Sequence, residues 1–99
     1  LVVPMSAATG VGEIIWNGRE RTRWSSADGR GKIIHVGKGV WQEYVNGNRT
    51  FTFRETDSTP TEIQLYDASR RITVKLTADK NIVMAGDRTV LVVPGGWSD

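Results

Sequence analysis

The chain has 99 residues with no cysteine, a single histidine (His35), four tryptophans and a formal net charge of +2. That length leaves room for one hydrophobic core, so residues 1–99 are expected to form a single domain. Missing thiols exclude disulfides and thiolate metal sites. A lone imidazole excludes a multi-histidine metal cage, and apolar runs of four residues or fewer exclude a membrane-spanning helix, which needs about twenty.

Taken in order, the chain alternates apolar and polar residues in short segments broken by turn chemistry. Segments 12–16 and 19–24 flank Asn17-Gly18, whose residues tolerate the positive φ of a tight hairpin. Asp28-Gly29 leads into 31–36, followed by 40–45 and then Asn46-Gly47. The clearest alternation is Arg49-Thr50-Phe51-Thr52-Phe53-Arg54-Glu55, with Phe51 and Phe53 on one face and Thr50 and Thr52 on the other. Pro60 marks a break, and 62–66 and 71–76 again place apolar residues on one face. The remaining segments, 81–85 and 89–93, are more apolar. No 3.6-residue apolar period persists, so almost no helix is expected. About eight or nine short strands at this spacing predict an all-β fold, a small antiparallel barrel or two-sheet sandwich of mostly meander-connected hairpins.

Two echoes refine the pattern. Ile14-Ile15 and Ile33-Ile34 set two apolar side chains on opposite faces of a strand, either at a barrel corner or at an outer apolar contact. Leu1-Val2-Val3-Pro4 recurs as Leu91-Val92-Val93-Pro94. These terminal strands must pair with each other or with a second chain, which makes a homo-oligomer one expectation. In Tyr66-Asp67-Ala68-Ser69-Arg70, Asp67 is placed to accept the amide two residues on. Arg70 can pair with Asp67 or Glu55, and Tyr66 can lid the core. The pattern Trp41-x-Glu43, Phe51-x-Phe53-x-Glu55, Ile63-x-Leu65-Tyr66-Asp67-x-Ser69-Arg70 and Val74-x-Leu76 resembles small β modules of secreted or accessory bacterial and fungal proteins. The resemblance implies a β module and carries no catalytic assignment.

Catalytic sets are thin. His35 with Glu43 and an arginine would be the minimum for phosphodiester cleavage, but a histidine after Ile33-Ile34 reads as a packed strand residue. Glu43 and Glu55 read as salt-bridge partners of Arg49, Arg54, Arg70 and Arg71 rather than as an acid–base pair. No catalytic residue, metal ligand or cofactor is assigned, and a non-enzymatic recognition module is the expectation.

Its first candidate ligand is a glycan, bound lectin-fashion through exposed aromatic rings and neighbouring amides. Trp16, Trp41, Tyr44 and Trp97 supply the rings, and Gln42, Asn46 and Asn48 the amides. Four indoles exceed what so small a core readily encloses, while Trp41 also suits the centre of the core and Trp97 sits in a Pro-Gly-Gly tail. The alternative ligand is a nucleic acid or other polyanion held by Arg19, Arg21 and Arg23, which alternate along one strand face. The charge distribution supports a basic face, with seven basic and four acidic residues in 1–50 against six and seven in 51–99. A structural, oligomer-forming module is the third expectation.

Overall fold

The computed structural model describes residues 21–98. They form eight strands, β1 (Arg23–Ser26), β2 (Gly31–Gly37), β3 (Val40–Val45), β4 (Asn48–Ser58), β5 (Glu62–Asp67), β6 (Ile72–Thr77), β7 (Lys80–Ala85) and β8 (Arg88–Trp97). Each strand pairs antiparallel with its neighbours in the chain, and β8 returns to β1, closing an eight-stranded barrel. Of the two architectures compatible with the alternation, the barrel is the one adopted. No helix among the described residues is long and apolar enough to cross a membrane. Segment 12–16 and residues 19 and 20 of segment 19–24 lie outside the described residues, as do Leu1–Pro4.

Turn residues account for the meander. Asn46 and Gly47 adopt φ of 53° and 82°, the paired positive values that a two-residue hairpin between twisted strands requires. Along each strand the apolar phase points inward. Trp24, Ile33, Trp41, Phe53, Ile63, Leu65, Val74 and Leu76 form one buried cluster, against which Ile72, Val83, Val93 and Trp97 pack. Burial of each large apolar side chain contributes roughly 1.5–3 kcal/mol. Both buried indoles also place their N–H: Trp24 Nε1 donates to Thr77 O and Trp41 Nε1 to Glu55 Oε1, each at 2.9 Å. Glu55 therefore serves an indole rather than an arginine.

Closure depends on the segment Pro94-Gly95-Gly96-Trp97. The sequence suggests a tail there, but it is strand: Ser26, Ser25 and Trp24 pair with Gly95, Gly96 and Trp97. The reason is a close approach. A Cβ on Gly95 would lie 2.2 Å from Ser25 O and 2.4 Å from the Trp24 ring, and one on Gly96 would lie 2.8 Å from Ala78 O. Only glycine lets β8 run over the indole and meet β1. Trp97 consequently packs on the core, 6.2 Å from the Trp41 ring, and His35 lies 5.1 Å from the same ring. These aromatics plug the barrel end that carries the β2–β3, β4–β5 and β6–β7 connections.

The opposite end carries the β1–β2, β3–β4, β5–β6 and β7–β8 turns. Its β5–β6 corner is built on Asp67, which is buried. Asp67 Oδ1 accepts from Ser69 N at 2.9 Å and Ser69 Oγ at 2.6 Å, and Oδ2 accepts from Arg70 Nε at 2.5 Å. Arg70 then lies over Phe51, 3.3 Å from its ring centroid. The expected Asx turn and Asp67–Arg70 pair are both present. Tyr66, however, points outward and is exposed, so the guanidinium–phenyl stack covers this corner in place of the tyrosine.

Burial pushes the Asp67 carboxyl up, but the Ser69 hydroxyl, the Arg70 guanidinium and the Ser69 amide together hold it below its ordinary value. A carboxyl depressed in the folded state stabilises above its unfolded pKa of about 3.9, and that stabilisation is lost as pH falls through the lower folded value. Asp67→Asn should cost about 1–3 kcal/mol at neutral pH and flatten the loss of stability below about pH 4, read as urea midpoints across pH. Gly95→Ala should cost at least about 1–3 kcal/mol by overpacking against Trp24, measured by the same unfolding at neutral pH.

Candidate functional site

An eight-stranded barrel is wide enough to be filled by side chains or to hold one small ligand. Here the packed core gives way to a cavity of about 210 Å³ beside the β1–β2 turn. Trp24 and Ile33 form its floor, Val45 and Val93 its apolar walls, and Ser26, Asp28, Arg30, Lys32, Glu43 and Asn81 its polar groups.

The polar groups differ in what they still offer. Ser26 Oγ donates to Asp28 Oδ1 at 2.7 Å and accepts from Gly31 N at 2.9 Å. The same Asp28 oxygen accepts from Arg30 N at 3.0 Å. The Arg30 amide and the Ser26 hydroxyl hold the Asp28 carboxyl below its ordinary value, so it is ionised at neutral pH. Glu43 Oε1 accepts from Thr50 Oγ1 at 2.6 Å. Asn81 stands apart: it is 93% buried (7% exposed), and its Oδ1 has no hydrogen-bond partner.

An unpaired buried acceptor costs about 1–3 kcal/mol, and buried polar atoms are seldom left so. Asn81 opposes Leu76 on β6 and Val93 on β8, so it takes an inward position that both neighbouring strands fill with apolar residues. The cavity lining thus combines Asn81, whose Oδ1 is enclosed and unpaired, with Glu43 above an apolar floor. Two cations, Arg30 and Lys32, balance the two carboxylates at its rim.

The residues anticipated as ligand contacts are dispersed. Trp41 is 1% exposed, so its ring has no face to offer a pyranose. Trp97 is half-buried against the core, and Trp16 lies outside the described residues. Gln42 is buried, its Nε2 donating to Phe51 O at 2.8 Å and Glu43 O at 3.1 Å while its Oε1 accepts from Thr52 Oγ1 at 2.7 Å. A β-bulge opposite Gln42–Tyr44 leaves those carbonyls to it. Asn48 is exposed at the start of β4. Tyr44 and Asn46 do share a concavity, an outer groove between β2 and β3 that also includes Ile34.

The arginine strand is likewise divided. Arg19 lies outside the described residues. Arg21 precedes β1, and its guanidinium donates to Thr59 O at 2.7 Å and Ser58 Oγ at 3.2 Å while lying 6.0 Å from the Trp97 ring centroid. Only Arg23 stands exposed on β1. His35 sits against Trp41 in the plugged half, whereas Glu43 lines the cavity. Leu91 and Val92 are exposed on β8.

Asn81 was not singled out as a site residue. The available signal was its inward register, in phase with Val83 and Ala85, but Ile82 and Met84 make the other phase equally apolar and hide it.

The chain matches no protein family, no curated protein and no solved structure.

Proposed function

We propose that the protein is a recognition module that binds one sugar-sized, hydroxyl-rich ligand in the cavity beside the β1–β2 turn. The supporting observation is the buried, unpartnered Asn81 Oδ1 in the cavity lining. An acceptor stripped of water gains most from a donor that arrives with a ligand.

Size narrows the ligand class. At about 210 Å³ the space falls below the roughly 300–1,000 Å³ that houses drug-sized molecules. It suits one sugar ring rather than a fatty acyl chain or a tetrapyrrole. Charge narrows it further, because Arg30 and Lys32 offset Asp28 and Glu43, so a neutral polyol donates hydrogen bonds without adding net charge. Ring C–H groups fit against Trp24, Ile33, Val45 and Val93, and ring hydroxyls reach Asn81 and Glu43. The glycan reading is thereby moved from exposed rings to the barrel interior.

A monosaccharide panel screened by amide chemical-shift changes should include a member that perturbs Ser26, Gly31, Glu43 and Asn81. Asn81→Leu should weaken that sugar at least about tenfold, the equivalent of one lost hydrogen bond, without lowering the unfolding midpoint. No response from any sugar, or unchanged affinity in the leucine variant, would overturn the reading.

A further inference from the structure

The outer surface of β1–β4 is basic and carries a ring at its centre. Register fixes which side chains share that surface. Tyr44 pairs with Lys32 on β2 and with Arg49 on β4. Ile34 pairs with Arg23 on β1 and Gln42 on β3, and Val40 pairs with Arg54. Ser25 and Thr52 complete the set through Lys32 and Gln42. Four cations, Arg23, Lys32, Arg49 and Arg54, therefore occupy one face, and none of the outward positions just named is a carboxylate. None of the four enters an ion pair among the described residues, where the pairing found is Arg70 with Asp67. The far side differs: on β4–β5, Asp57 pairs with Gln64, and Glu62 faces outward too.

Within the basic face lies an open groove of about 340 Å³, lined by Arg30, Lys32, Ile34, Tyr44 and Asn46 together with Gly29 and Gly47. Its rim is two hairpin turns joined by a hydrogen bond from Asn46 N to Arg30 O at 2.8 Å. Gly29 and Gly47 leave open space where a Cβ would stand, so a ligand can approach the backbone there.

We propose that this face binds single-stranded nucleic acid, with a base stacked on Tyr44 and the flanking phosphates on Lys32 and Arg49. Lys32 and Arg49 sit on the strands either side of β3, so their backbones stand about 9–10 Å apart, one on each side of the ring. A cationic track interrupted by an aromatic platform is how single strands are held without sequence readout. The sequence pI of about 9.3 agrees with such a footprint. A base also lays a flat aromatic face on Tyr44 beside Ile34, a contact that a polyphosphate has no ring to make and that the puckered, saturated rings of a sulfated glycan make with less overlap.

The site is separable from the interior cavity. Arg30 and Lys32 border both, but Tyr44 lines only the groove and Asn81 only the cavity. Binding of a fluorescent oligothymidylate to the full chain at low salt should fall steeply as salt rises. Tyr44→Ala should weaken it about tenfold and Tyr44→Phe should restore it, since stacking needs the ring and not the hydroxyl. Joint Lys32→Gln and Arg49→Gln should reduce the slope of log affinity against log salt by about 1.4, at roughly 0.7 per single-strand phosphate contact. Asn81→Leu should leave oligonucleotide affinity unchanged, so failure here and failure of the sugar reading are told apart. Three results would each overturn the proposal: no binding at low salt, equal affinity in Tyr44→Ala, or inorganic polyphosphate or heparin binding as tightly as the oligonucleotide.

Discussion

The contact of Gly95 with the Trp24 indole is the constraint on which the barrel depends. β1 has only four residues, and its pairing with β8 spans three of them, from Trp24–Trp97 to Ser26–Gly95. Without that seam the sheet would be an open meander with two exposed edges, the arrangement that invites association. The seam forms because β8 passes within reach of the Trp24 ring at a residue with no side chain. Trp24 is also anchored from the other side, by its N–H on Thr77 O. One indole therefore closes the barrel, fills its middle and ties β1 to the β6–β7 corner.

The same ring limits how far the core extends. Aromatics crowd the half of the barrel that holds His35, Trp41 and Trp97. Beyond Trp24 and Ile33 the inward positions turn small or polar, with Ser26, Gly31, Glu43 and Asn81. A fold maximising stability alone would place apolar side chains there, as it does at Val74 and Leu76. Leaving an amide oxygen buried and unpaired sacrifices stability, and such sacrifices cluster where a ligand is received. The contrast with Asp67 is instructive. That carboxylate is as deeply buried, yet each of its oxygens has a donor, and its role is wholly accounted for by the β5–β6 corner.

Inside and outside meet at the β1–β2 turn. Asp28 organises it by accepting from Ser26 and Arg30, and the resulting loop sets Arg30 and Lys32 between the cavity and the outer groove. The β-bulge of β4 opposite Gln42–Tyr44 has a related effect. It turns Gln42 into a buried strut and sets Tyr44 beside Arg49, so the outer ring is framed by cations on both neighbouring strands.

Sequence alone determined the all-β class, the meander and most of the core. Alternation with period two and positive-φ turn residues are local properties, legible without knowing what lies opposite. Ile63, Leu65, Val74 and Leu76 belong to that legible part. The Asp67 corner does as well, since its bonds span three residues. Tertiary structure decided the rest. A Pro-Gly-Gly stretch reads as a tail until a distant indole makes glycine necessary, and Asn81 looks like a surface residue until closure assigns its phase. Tyr44 gains its cationic neighbours only through register with β2 and β4. In each case the deciding contact joins residues brought together by barrel closure or cross-strand pairing, and a one-dimensional pattern carries no information about it.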